Sequence, residues 1–176
     1  DEVILGGPYF PNYIGVIEMC GAVPVVVNLK EENEFQYNVQ DLEAAITDKT
    51  KLMLINSPCN PTGAVTGEGV LRAIADLVKQ YDLYLMTDEV YQDFTYGDTA
   101  YFSIVTCEGM KERTVVIDSF SKAYAMTGWR CGFTLAPKQI IEQMVKIKEN
   151  VVSCVNTPTQ YGAVAALEGP QTTLTD

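Results

Sequence analysis

Two short apolar runs, Leu52-Met-Leu-Ile55 and Leu83-Tyr-Leu-Met86, stop abruptly at polar residues, Asn56 after the first and Thr87-Asp-Glu89 after the second. Brief runs this dense in aliphatic side chains are the pattern of strands buried on both faces, which requires a sheet covered by helices. Val3 to Leu5, Val23 to Val27, Val115 to Ile117 and Gly132 to Ala136 have the same character. Between them the period changes. Val70, Leu71, Ile74, Leu77, Val78 and Tyr81 recur at helical spacing and predict a helix from an N-cap at Thr66 to Tyr81, with one face on the sheet. A second helix is expected to start with Pro137 in its first turn and to bury Ile140, Ile141, Met144, Val145 and Ile147. Asn38 predicts the cap of a shorter helix with Asp41 and Glu43 near its positive end and Leu42, Ala45 and Ile46 inward. A last helix is expected around Gln160 to Glu168. The alternation reads as α/β, a three-layer αβα arrangement around a mostly parallel sheet.

The 176 residues are enough for one domain with a sizeable core, and no repeat, low-complexity run or linker divides them. The acidic stretch Glu31-Glu32-Asn33-Glu34 reads as a solvated turn. A net charge of −11 without a basic patch argues against a nucleic-acid partner or an anionic membrane surface. The apolar runs are too short for a transmembrane span, and no signal peptide is expected. There is no histidine, so a Ser-His-Asp triad and a Cys-His nucleophile pair are excluded. The five cysteines contain no Cys-x-x-Cys, which leaves no zinc pattern. They read as small apolar side chains in a reducing cytoplasm.

One segment carries chemistry that composition does not explain. In Asp118-Ser-Phe-Ser-Lys-Ala-Tyr-Ala-Met-Thr-Gly-Trp-Arg130 a serine stands three residues before Lys122 and an arginine eight after it, between two strand-like runs. A buried lysine loses its proton readily and becomes the nucleophilic amine that a Schiff base requires. Ser119 and Arg130 could hold a phosphate, the arginine by a forked, charge-assisted contact. The combination suggests a pyridoxal phosphate site. Upstream, Asn56-Ser-Pro-Cys-Asn-Pro-Thr-Gly63 and Thr87-Asp-Glu-Val-Tyr91 each follow an apolar run. Polar groups at strand carboxyl ends are where open α/β sheets bind ligands. The run into Asp88-Glu89 also has the look of a nucleotide-binding strand. However, Gly-x-x-x-x-Gly-Lys-Ser/Thr is absent, and Gly67-Glu-Gly69 lacks the third glycine of a dinucleotide fingerprint.

With these motifs in this order, nearly the whole chain resembles the class I/II aminotransferases, in the aspartate aminotransferase superfamily of fold-type I pyridoxal phosphate enzymes. The resemblance implies a seven-stranded, mostly parallel sheet whose last strand is antiparallel, and residues 1–176 as the cofactor-binding large domain of a longer homodimeric protein. A glycine-rich segment upstream and a carboxy-terminal small domain would be missing. It further implies that Lys122 forms the Schiff base with the cofactor and then moves protons. Asp88 would contact the pyridine nitrogen, and Tyr91 and Asn60 would hydrogen-bond the phenolic oxygen. Phe10, with Tyr9 as the neighbouring candidate, would stack on the ring, while Ser119, Ser121 and Arg130 would bind the phosphate. Glu89 is read as a local structural carboxylate and Trp129 as a packing residue.

The expected reaction is transfer of an amino group between an amino acid and a 2-oxo acid. A carbon–sulfur lyase on the same residues, and an aminotransferase-like sensor domain of a transcriptional regulator, are the alternatives. Family members bind the substrate carboxylate with an arginine in the part missing here, so the 176-residue chain alone is expected to be inactive. One dicarboxylate branch adds an arginine near Asn150 to Val155, where this chain has none.

Overall fold

The computed structural model describes residues 1–171; the last five residues of the expected 1–176 domain lie outside the described part. Six strands form a single sheet in the order β2-β1-β3-β4-β5-β6. They are β1 (Glu2–Gly7), β2 (Val23–Asn28), β3 (Thr50–Asn56), β4 (Tyr84–Asp88), β5 (Thr114–Ser119) and β6 (Gly132–Leu135). The first five are mutually parallel, and β6 runs antiparallel to β5. The antiparallel last strand is as expected, whereas the described residues supply six strands rather than seven.

Among the described residues six α-helices accompany the sheet: α1 (Asn12–Met19), α2 (Val39–Ala44), α3 (Glu68–Gln80), α4 (Phe120–Ala123), α5 (Lys138–Val151) and α6 (Thr157–Glu168). Strand side chains alternate between faces, and the core divides accordingly. Ile4, Met53, Ile55 and Leu85 pack with Leu42 of α2 and with Leu71, Ile74 and Val78 of α3. Val3, Leu5 and Leu54 point the other way and close on Ile17 of α1. Helices on both faces of one sheet make the three layers. A separate small cluster, Phe120, Cys131 and Ala163, seats α6 against the α4 turn.

Local chemistry accounts for most element ends and for the departures from expectation. The Asn38 side chain caps α2 by accepting from the Gln40 and Asp41 amides. Thr66 does not cap α3. It is buried, its amide donates to Ser57 Oγ at 2.9 Å, and the cap position falls on Gly67, which offers no side-chain acceptor. Tyr81 is 40% exposed and donates to Glu43 Oε1 at 2.8 Å instead of facing the core. Pro137 stands at the cap of α5, one position before its first turn.

The larger correction concerns the apolar face of α5, where no residue is buried. Val145 is 42% and Ile147 65% exposed, because the helix stands off the edge strand β6 across a groove lined by Phe133, Ile141 and Met144. Trp129, expected to be packed, is 53% exposed. The Glu31–Asn33 stretch is an exposed 3-10 turn, as read.

Ile74 is fully buried at the centre of the α3–sheet interface. Ile74→Ala is expected to cost about 2–5 kcal/mol through lost burial plus the cavity left behind, measured as a lowered urea midpoint at unchanged m-value.

Candidate active site

Strand order locates the site before any side chain is considered. From β1 the chain goes outward to β2 and then returns to the other side of β1 to start β3. The connections leaving β1 and β3 therefore diverge at their carboxyl ends, and the crevice so opened is the standard ligand position of a doubly wound sheet. Here that crevice receives Phe10 and Tyr13 after β1, Asn56 and Asn60 after β3, Asp88 and Tyr91 after β4, and the 119–122 turn after β5. Its cavity measures about 260 Å³. All eight expected residues, Phe10, Asn60, Asp88, Tyr91, Ser119, Ser121, Lys122 and Arg130, wall it together with Tyr13, Asn56, Val90 and Thr127. Tyr9 instead packs into the cluster around Val3 and Leu5, so of the two stacking candidates Phe10 is the one that lines the cavity.

Asp88 is the last residue of β4 and is held at both oxygens. Oδ1 accepts from the Val90 amide at 3.2 Å, and Oδ2 accepts from the Tyr13 hydroxyl at 2.5 Å. Tyr13 in turn packs edge-on against Phe10, with ring centroids 5.7 Å apart. Burial pushes the Tyr13 phenol far above its ordinary range, and the Asp88 charge and hydrogen bond push it further, so it remains a neutral donor. Asn56, the last residue of β3, is buried and fully used. Its Nδ2 donates to the carbonyls of Asp88 and Pro58 at 3.0 and 3.2 Å, while its Oδ1 accepts from the Asn60 amide at 2.8 Å. It thereby ties the Asn60 turn to the end of β4. That turn closes through Gly63, whose φ of +74° only glycine adopts without strain. Tyr13 and Asn56 were not assigned roles from sequence. Asn56 could have been found as the polar residue ending a buried strand; Tyr13 left no local signal.

Lys122 lies in the short turn α4, whose cap is Ser119. Ser119 Oγ accepts from the Ser121 amide at 3.1 Å and lies 3.0 Å from the Cys131 carbonyl. The Lys122 amine sits 5.6 Å from the centroid of the Tyr91 ring. Contrary to the buried lysine expected, Lys122 is exposed in this structure, as is Arg130. Arg130 has positive φ (+52°), donates to the Thr127 carbonyl at 2.9 Å and lines the cavity with Ser119 and Ser121. Glu89, next to Asp88, faces away from the cavity. It is buried and accepts from Ser103 Oγ at 2.8 and 2.9 Å and from Thr87 Oγ1 at 3.1 Å, the structural role anticipated for it.

The cavity thus offers a primary amine, one carboxylate, an aromatic face, an amide with a phenol, and two hydroxyls beside a guanidinium. This donor set fits a flat heteroaromatic aldehyde bearing a basic ring nitrogen, a phenolic oxygen and a phosphate. No group of three or more His, Cys, Asp or Glu side chains able to hold a metal ion occurs among the described residues. No helix among them is long and apolar enough to cross a membrane.

A doubly wound sheet with an amine and a carboxylate at its switch point defines a class of cofactor-binding fold, and comparison with known proteins gives the family. The family model for aminotransferase class I and II matches residues 1–175, and the chain belongs to that family. It is 46% identical over 167 residues to an aspartate aminotransferase of Pyrococcus abyssi, covering 95% of this chain and 43% of that protein. It is 42% identical over 167 residues to aromatic-amino-acid aminotransferase 2 of Thermococcus litoralis, again 95% of this chain and 43% of the relative. Among solved structures, an aromatic aminotransferase from Pyrococcus horikoshii superposes with a TM-score of 0.95 at 46% identity, covering 97% of this chain and 46% of that one. The chain therefore spans less than half the length of the relatives it matches.

Proposed function

We propose that the full-length protein containing this chain transfers an amino group between an amino acid and a 2-oxo acid, with pyridoxal phosphate held in the cavity described above. The observation that carries this reading is the convergence of Lys122, Asp88, Asn60, Tyr91, Ser119 and Arg130 on one cavity at the strand ends. Pyridoxal phosphate, when bound, supplies the electron sink that makes the substrate α-proton labile.

Each side chain has one task. Lys122 would supply the amine for the cofactor aldehyde and the base that moves a proton at the substrate α-carbon. Asp88, kept in place by Tyr13 and the Val90 amide, presents its negative charge to the ring nitrogen and favours the protonated ring. Asn60 and Tyr91 hydrogen-bond the phenolic oxygen. Ser119, Ser121 and Arg130 would hold the phosphate, the guanidinium adding charge to the two hydroxyls. Phe10 covers one face of the ring, supplying area without a polar handle.

Residues 1–176 are the cofactor-binding domain in this reading, and the whole protein is a homodimer. All five cysteines are free, which suits a reducing cytoplasm. The chain by itself has no second arginine for a substrate carboxylate. Arg72 pairs with Glu68 at 2.7 Å, and Arg113 pairs with Asp82 at 3.0 Å. Positioning clamps of that kind supply a large share of rate enhancement.

The test is amino-group transfer by the purified full-length protein between amino acids and 2-oxo acids, run beside cysteine conjugates. Release of a thiol, ammonia and a 2-oxo acid from the conjugates, without amino-group transfer, would establish the lyase instead. A chain of residues 1–176 alone is expected to show no turnover; a rate like that of the full-length protein would overturn the arginine argument.

A further inference from the structure

The side chains assigned to chemistry are held by few protein contacts of their own. Neither the Tyr91 hydroxyl nor the Lys122 amine has a hydrogen-bond partner among the described residues, and the two are related only by the 5.6 Å approach of the amine to the ring. They stand on different turns, one leaving β4 and the other leaving β5. The last backbone bond between these strands joins the Glu89 amide to the Ile117 carbonyl at 2.9 Å; β4 then leaves the sheet, while β5 runs on to Ser119 paired only with β6. Something beyond the β4–β5 ladder has to set the spacing of the two turns.

Asp118 is placed to do so. Its Oδ1 accepts from the Ser119 amide at 2.6 Å, at the start of the turn that carries Lys122. Its Oδ2 accepts from Gln92 Nε2 at 2.5 Å, on the residue that follows Tyr91. One carboxylate therefore joins the two turns, and Gln92–Asp118 is the one side-chain hydrogen bond that links them among the described residues. The Tyr91 turn is anchored on its other side as well, because Gln92 N–H donates to the Glu89 carbonyl at 2.8 Å and the buried Glu89 carboxylate is fixed by Ser103 and Thr87. The arrangement has an electrostatic cost. Burial pushes the Asp118 carboxyl above its ordinary range and the nearby Asp93 and Glu89 charges add to this, while the Ser119 amide and Gln92 oppose it. A half-buried carboxylate beside two others does little for stability, and its two hydrogen bonds give it a geometric use instead.

We propose that the Gln92–Asp118 hydrogen bond is a positioning contact of the active site, fixing the Tyr91 ring against the Lys122 amine from outside the cavity. Neither residue lines the cavity. This rests on the pyridoxal phosphate reading above, since it gives the Tyr91–Lys122 spacing its purpose.

The experiment uses the full-length protein with pyridoxal phosphate as the probe. Borohydride trapping and peptide mapping on the unaltered protein come first; no adduct at Lys122 would remove the pyridoxal phosphate reading itself and this proposal with it. With the adduct established, Gln92→Met removes the donor at nearly constant length and Asp118→Leu removes the acceptor. Each is expected to keep the Lys122 adduct and to alter the visible absorbance of the bound cofactor. Each should lower kcat about 10- to 100-fold with KM within about twofold of the original. The double variant should be no slower than Asp118→Leu alone, because that change already removes the Gln92 bond along with the Ser119 one. Asp118→Asn, which retains a partner for Gln92, should lose less than about fivefold. Thermal melting is recorded for every variant. Gln92→Met with unchanged absorbance and kcat overturns the proposal. So do additive losses in the double variant, or a lowered Tm with absorbance and kcat intact, which would mark a merely structural bond.

Discussion

Lys122→Ala in the full-length protein is expected to abolish the borohydride-trapped pyridoxal phosphate adduct and to lower amino-group transfer by several orders of magnitude. Cofactor should still bind reversibly through Asp88, Ser119 and Arg130. The size of the effect follows from Lys122 being, among the described residues, the only amine on the cavity wall, so neither the covalent attachment nor the proton transfer has a substitute nearby. Adduct is read by mass spectrometry of the trapped, digested protein. The amine to watch in the variant is Lys148, which lines the adjoining groove between β6 and α5 with Ser119, Ser121 and Arg130. An adduct that persists at full yield on Lys148 would show that phosphate binding, and not Lys122, determines where the aldehyde reacts.

How much of this was legible in the sequence depends on what each element is buried against. Runs such as Leu52–Ile55 face helices on both sides, so every position is apolar and the strand is plain without any partner in view. α3 was plain for the complementary reason, a strict one-sided stripe from Leu71 to Val78. α1 was not. It begins after Pro11 with no side-chain cap, carries Gly15 in its middle and has only Ile17 buried, so its helical period is too faint to separate from an aromatic loop. α5 misled in the opposite sense. Its apolar residues are periodic, but periodicity shows which face is apolar and not whether anything covers it, and Ile147 and Val151 stand in solvent.

The site divides in the same way. Lys122, Asp88, Tyr91, Asn60 and Arg130 could be singled out because each follows an apolar run directly or lies in the turn beyond it, where side chains must face the strand ends. Tyr13 could not, because its role consists of one contact spanning 75 residues of chain. The same is true of Gln92 and Asp118, which are 26 residues apart and meet only because β4 and β5 are neighbours. Residues at strand ends could be placed at the cavity from sequence, while contacts that hold another residue in place required the fold.

The relative weights of Asp88, Tyr91 and Tyr13 give a test that separates charge from hydrogen bonding. Asp88→Ala is expected to reduce the rate of amino-group transfer by at least about 10²–10³ at cofactor saturation, the usual cost of losing a preorganised electrostatic partner from a water-poor site. Tyr91→Phe removes one neutral hydrogen bond, worth about 0.5–1.5 kcal/mol net, and should cost roughly 2- to 13-fold. Tyr13→Phe lies between them. It leaves the Asp88 charge in the site but frees Oδ2 from its 2.5 Å donor, so the carboxylate keeps only the Val90 amide to orient it. The loss expected is that of a hydrogen bond to a charged group, about 1.5–3 kcal/mol, or roughly 10- to 150-fold. Asp88→Ala also strands the half-buried Tyr13 hydroxyl, so part of its effect should appear as reduced stability; Asp88→Asn, which still accepts from Tyr13, isolates the charge. If Asp88→Asn is as slow as Asp88→Ala while melting like the unaltered protein, the negative charge at the end of β4 is what the reaction uses. If Asp88→Asn retains nearly full rate, Asp88 serves only to anchor Tyr13, and the role given to its charge is wrong.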